Sequence, residues 1–146
     1  MKDLRILLLE PNAAAKKLET IMLSKIPGVK EVLAMPNGIA GLKILYEDYG
    51  ISLIVSCVHM PLMNGFELIR NLADSGMLSI PVIMISNDIS MHEQVMQAGA
   101  YEFLTKPLSQ DRLAEAIERE GLKMGTVART PMAGLLAYHG VDAADV

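Results

Sequence analysis

Two kinds of apolar pattern alternate along the chain. Leu4–Leu9 is a short run with one polar break, the pattern of a strand covered on both faces, and it stops at Glu10-Pro11-Asn12. Over residues 13–26, Leu18, Met22 and Ile26 recur at four-residue spacing among Lys16, Lys17, Glu19 and Lys25. That spacing predicts a helix with its apolar stripe on those three residues, capped by Asn12 and ended by Pro27-Gly28. The alternation then repeats. Further strands are predicted at Val29–Met35, 51–57, 80–85 and 100–104, and further helices at 39–46, 66–74, 90–98 and 110–120. The helix at 66–74 presents Phe66, Ile69 and Ala73 on one stripe, and the last helix presents Leu113, Ala116 and Ile117. Gly41 weakens the second helix by about 1 kcal/mol relative to alanine.

Buried strands alternating with amphipathic helices predict an α/β fold, a doubly wound five-stranded parallel sheet with helices on both faces. In such sheets functional groups gather beyond the carboxyl ends of the strands. The candidate residues are therefore Glu10 with Pro11, Cys57 with His59, Ser86 with Asn87, and Lys106.

Composition narrows the function classes. A chain of 146 residues suits one domain, and 51% apolar with 21% charged residues excludes a disordered chain. The apolar runs are too short for a membrane span. The start Met1-Lys2-Asp3-Leu4-Arg5 lacks the apolar stretch of a signal peptide, so a cytoplasmic location is expected. Cys57 is the single cysteine, which excludes an internal disulfide and a multi-cysteine zinc site. With 13 basic and 17 acidic side chains and no tryptophan, the chain offers neither bulk attraction to nucleic acid nor a base-stacking platform.

Five segments carry a resemblance: Pro36-Asn37-Gly38, residues 60–65 (Met-Pro-Leu-Met-Asn-Gly), residues 81–86 (Pro-Val-Ile-Met-Ile-Ser), Ala98-Gly99-Ala100 and Leu104-Thr105-Lys106-Pro107. In that order and spacing, the chain from Leu4 to about Glu120 resembles the receiver domain of two-component response regulators, the CheY-like fold. The resemblance implies strand order 2-1-3-4-5. It also implies phosphoryl transfer from a histidine kinase to an aspartate ending the third strand. Two acidic residues after the first strand help hold magnesium. A Ser or Thr after the fourth strand and a Lys after the fifth contact the phosphoryl oxygens, and an aromatic residue on the fifth strand reports the state to the outer face.

Carried onto this sequence, the match is partial. Ser86 takes the hydroxyl position, Lys106 the lysine and Phe103 the aromatic switch, while the phosphoacceptor position is Cys57. The acidic pair becomes Glu10-Pro11, and Asn87 stands where a small residue is usual, narrowing access. Magnesium asks for hard oxygen ligands, usually including one or two carboxylates. Pro11 supplies none and Cys57 supplies soft sulfur, so magnesium binding is expected to be weak or absent. A thiol cannot form the acyl phosphate, so conventional phosphorylation is not expected, nor is catalysis.

Each candidate has a plainer reading beside it. Cys57 with Lys106 nearby could be a reactive thiol, because adjacent positive charge lowers a cysteine pKa, but a buried free cysteine usually acts as a small apolar side chain. A soft-metal site of Glu10, Cys57 and His59 is outweighed by a solvated His59, and His92 and His139 show no partners in the sequence. Lys106 has a second role open to it, an ion pair with Glu10. Met91, Met96 and Tyr101 fall near the face of the fourth helix, fifth strand and fifth helix, which carries partner contact or homodimerisation in receivers. A flavodoxin-like cofactor binder shares the topology, but Glu10-Pro11-Asn12 lacks its phosphate cradle.

The expected organisation is a receiver at 1–121 and a tail at 122–146, with a brief docking helix at 132–139 using Leu135, Leu136 and Tyr138. The expected function is signalling by a stand-alone receiver-like module through contact with a histidine kinase, a phosphotransfer protein or a downstream effector. The alternative is a switch driven by oxidation or modification of Cys57.

Overall fold

The computed structural model describes residues 3–47, 50–77 and 79–126. Its elements are β1 (Leu4–Leu9), α1 (Ala13–Ser24), β2 (Val29–Met35), α2 (Gly38–Tyr46), β3 (Leu53–Cys57), α3 (Gly65–Asp74), β4 (Val82–Ser86), a 3-10 turn (Ile89–Met91), α4 (His92–Ala98), β5 (Glu102–Thr105) and α5 (Gln110–Thr126). All strand pairs are parallel, in the order β2-β1-β3-β4-β5. The expected fold class and strand order are both present.

Why β1 reads as a nearly unbroken apolar run is visible in the packing. Successive strand residues point to opposite faces, and both faces are covered. Leu7 and Leu9 join Leu42 and Leu45 of α2, Leu68 and Leu72 of α3 and Val95 of α4. Ile6 and Leu8 join Leu23 of α1 and Leu113, Ala116 and Ile117 of α5 in a second core. The stripe predicted for the last helix is therefore the buried one.

The stripe predicted for α1 is corrected at Leu18 alone, since Ile26 is buried and Met22 packs against the same core. Leu18 is 59% exposed, whereas Glu19 is 4% exposed and lies on the buried side with Leu23. The cause is geometric: residues four apart advance 40° beyond a full turn, so Leu18, Met22 and Ile26 spiral off a straight face. Alternating steps through Ala15, Glu19, Met22 and Ile26 stay within about 60°. In α3 the buried residues are Gly65, Leu68, Ile69 and Leu72, and Ala73 is exposed.

Asparagines start three helices. The side chains of Asn12, Asn37 and Asn64 accept from the backbone N–H of Ala15, Ala40 and Glu67, and Glu67 completes a capping box. Gly99 ends α4 with φ of 119°, the left-handed conformation glycine adopts without cost. Gly41 proves to be a close approach: a Cβ there would lie 2.6 Å from Leu9 Cδ2, so its hydrogen lets α2 sit against β1. Helix α5 continues past the expected end at Glu120 to Thr126, so residue 121 falls inside it. The helix expected at 132–139 and His139 lie outside the described residues. Among the described residues, no helix is long and apolar enough to cross a membrane.

Candidate functional site at the carboxyl end of the sheet

The site is built from the ends of four strands. Glu10 follows β1, with its backbone N–H donating to the Met35 carbonyl at 3.0 Å, and its side chain is buried. Cys57 ends β3 between β1 and β4, register-paired with Ile85. Lys106 follows β5, and its backbone N–H donates to the Ser86 carbonyl at 2.9 Å. These anchors direct three side chains to one point.

There the Glu10 carboxylate is fully engaged. Its Oε1 accepts from Lys106 Nζ at 2.7 Å and from the Cys57 thiol at 2.9 Å, and its Oε2 accepts the Asn12 backbone N–H at 3.0 Å. Lys106 Nζ also lies 3.6 Å from Cys57 Sγ and 3.5 Å from Glu19 Oε2. The structure brings Glu10, Cys57 and Lys106 together, and it pairs Lys106 with Glu10, a role the sequence leaves open beside phosphoryl contact. Glu19 is an addition to it, signalled in the sequence only as a carboxylate on the tight row shared with Ala15, Met22 and Ile26. Among the described residues, Glu19 Oε1 is the buried side-chain oxygen left without a hydrogen-bond partner.

Charge in this cluster follows from burial and contact. Burial pushes the Cys57 thiol up, and donation to the negative Glu10 adds to it, bringing the pKa to about 12. Burial, then the neighbouring Glu10 charge, raises Glu19 to about 7. Burial would raise Glu10 as well, but bonds from Cys57 and Lys106 outweigh it and hold that carboxyl below its ordinary value. Burial works against the Lys106 ammonium, yet the Glu10 bond and the surrounding negative groups raise its pKa overall. At neutral pH the arrangement is a thiol and an ammonium donating to one carboxylate, with a second carboxyl near its midpoint.

The remaining candidates surround this centre. Ser86 is buried, and its hydroxyl oxygen accepts the Asp88 backbone N–H at 3.0 Å. Asn87, Pro11 and His59 are exposed at the mouth, where the His59 charge helps lower the Asp88 carboxyl behind the larger effect of Ser90. Phe103 is half-buried, and His92, which has no partner visible in the sequence, stacks on it with ring centroids 5.1 Å apart. Met91 and Met96 are half-buried packing against the core, and Tyr101 is half-buried before β5.

The donor set does not match what magnesium asks. Both Glu10 oxygens are committed to protein donors, Pro11 has no side-chain oxygen, Cys57 presents a protonated sulfur, and the Lys106 ammonium occupies the negative focus. Among the described residues, no group of three or more His, Cys, Asp or Glu side chains is arranged to hold a metal ion.

A five-stranded parallel sheet in this order, with a lysine after β5 reaching an acidic residue after β1, defines a receiver-type signalling domain. The family model of the response regulator receiver domain matches residues 6–118, and the chain belongs to that family. The C4-dicarboxylate transport transcriptional regulatory protein DctD of Pseudomonas aeruginosa is 30% identical over 114 residues, covering 69% of this chain and 24% of that protein. The chain thus spans about a quarter of that relative's length. Chemotaxis protein CheY1 of Helicobacter pylori is 25% identical over 118 residues, covering 79% of this chain and 94% of CheY1. The crystal structure of a response regulator receiver domain protein from Clostridium thermocellum superposes with a TM-score of 0.75 at 22% identity, covering 84% of this chain and 97% of that one, a likeness of fold.

Proposed function

We propose that this receiver domain signals through protein contact, with its pocket closed internally by Glu10, Lys106, Cys57 and Glu19 in place of magnesium-dependent phosphoryl transfer. The observation that carries this reading is the commitment of both Glu10 oxygens, to Lys106 and Cys57 on one side and Asn12 on the other. A metal ion would have to displace an ammonium held at 2.7 Å, and the thiol offers no route to an acyl phosphate. The module works as a binding partner and not as an enzyme, in the cytoplasm. It meets a histidine kinase, a phosphotransfer protein or a downstream effector through the face of α4, β5 and α5, where His92 and Phe103 stack.

Oxidation of Cys57 is the less favoured trigger. A thiol raised to about 12 is a poor nucleophile at neutral pH, and the sequence holds no second cysteine to resolve a sulfenic acid. The test is an amide NMR titration with magnesium and then acetyl phosphate, with intact mass taken on the same sample. Unchanged spectra and mass are expected. Shifts around Glu10, Cys57 and Lys106 together with a phosphoryl-sized mass increase overturn the proposal.

A further inference from the structure

Two buried carboxyl groups compete for one ammonium at the carboxyl end of the sheet. Lys106 Nζ lies 2.7 Å from Glu10 Oε1 and 3.5 Å from Glu19 Oε2. The competitors differ in what else holds them. Glu10 keeps two further donors, the Cys57 thiol at 2.9 Å and the Asn12 backbone N–H at 3.0 Å. Glu19 is 4% exposed, and its Oε1 has no hydrogen-bond partner. A protonated Glu19 tolerates that position, whereas an ionised one calls for a cation beside it.

The ammonium is free to answer. Lys106 is fixed at its main chain by the Ser86 carbonyl, while its side chain is 26% exposed and carries the charge on a flexible stem. Moving away costs Glu10 one donor of three, and it gives Glu19 its first close one. Glu10 after β1 and Lys106 after β5 are the charged groups that act on Glu19, and the Cys57 thiol of β3 feels its charge in turn. Lys16 stands one turn earlier on α1 itself. The other elements packed on α1 bring neutral groups: Val32 and Ala34 from β2, and from α5 Leu113 with Gln110, whose amide donates to the Met22 carbonyl at 2.9 Å. Burial and the Glu10 charge raise the Glu19 pKa to about 7, so the competition is decided near neutral pH.

We propose that Lys106 is a proton-gated latch. With Glu19 protonated the ammonium stays on Glu10, and loss of the Glu19 proton to water draws it onto Glu19. The latch gives the closed pocket a trigger that needs neither a metal ion nor a phosphoryl donor. Only that signalling meaning rests on the function proposed above.

The experiment is a pH titration of the isotope-labelled full chain in magnesium-free buffer. It follows the side-chain carboxyl carbons of Glu10 and Glu19, together with the NOEs from the Lys106 ε-protons to the γ-protons of each glutamate. The Glu19 carbon is expected to inflect at about pH 7, and with the same midpoint the NOE to Glu19 grows while that to Glu10 fades. Glu19→Gln, a neutral carboxyl mimic, is expected to keep at pH 8 the Lys106–Glu10 NOE that the native protein shows at pH 5.5. The native titration decides the exchange, and the variant assigns it to Glu19. Lys106 NOEs that stay constant through the Glu19 inflection overturn the proposal. So does a Glu19 inflection at the ordinary value of 4.5, or the same exchange of NOEs in Glu19→Gln. With magnesium absent throughout, failure here leaves the closed-pocket reading standing, and that reading fails on its own magnesium and acetyl phosphate titration.

Discussion

Glu19 of α1 turns one oxygen toward Lys106 at 3.5 Å and leaves the other buried without a partner. A carboxylate so placed is costly, and the raised pKa of about 7 is the physical response. The folded state therefore binds a proton that the unfolded chain releases near the ordinary value of 4.5. Its contribution to stability is full below about 4.5 and is lost as pH rises through about 7. Chemical denaturation at pH 5.5 and pH 8 is expected to show the native protein losing on the order of 1–2 kcal/mol relative to Glu19→Gln across that interval. Parallel profiles for the two proteins count against the assignment.

Removing Lys106 leaves the Glu10 carboxylate enclosed without its counter-charge. Lys106→Met is expected to cost about 2 kcal/mol, less than for a fully enclosed pair because the lysine side chain is 26% exposed. Adding Glu10→Gln recovers part of the loss. A double-mutant cycle from urea melts measures the coupling, and additive losses rule out the pair as a unit.

The Cys57 thiol is expected to resist alkylation. A pKa of about 12 against an ordinary value of 9.0 depletes the thiolate at pH 8 by roughly 1000-fold. Iodoacetamide followed by intact mass should give a rate at least about 100-fold below that of the urea-unfolded protein. Comparable rates in the two states contradict the buried, donating thiol.

Gly41→Ala tests the approach of α2 to β1. Helix propensity alone predicts a gain of about 1 kcal/mol. The added methyl meets Leu9 Cδ2 at 2.6 Å, and Leu9 is fully buried, so overpacking of about 1–3 kcal/mol opposes that gain. A lowered thermal midpoint is expected, and a raised one shows that Leu9 can move aside.

Most of the architecture is legible in the sequence because doubly covered strands and their punctuation are written locally: Leu4–Leu9 is nearly all apolar, and Asn12, Asn37 and Asn64 stand where helices begin. The strand-end positions alone bring Glu10, Cys57 and Lys106 together, since functional groups of such sheets gather at that edge. Glu19 escapes because a charged residue in a lysine-rich stretch reads as solvated, and only the rotation of α1 against β1 and α5 decides which side is buried. The stacking of His92 on Phe103 escapes for the same reason: it is a contact between α4 and β5 set by tertiary packing.

Lys106 ties its main chain to β4 through Ser86 and its side chain to the end of β1 through Glu10, so one residue spans the carboxyl edge over β3. The edge that closes over Cys57 is therefore a single cooperative unit: slow amide exchange at the ends of β1, β3 and β4 should rise and collapse together when that one ammonium is removed.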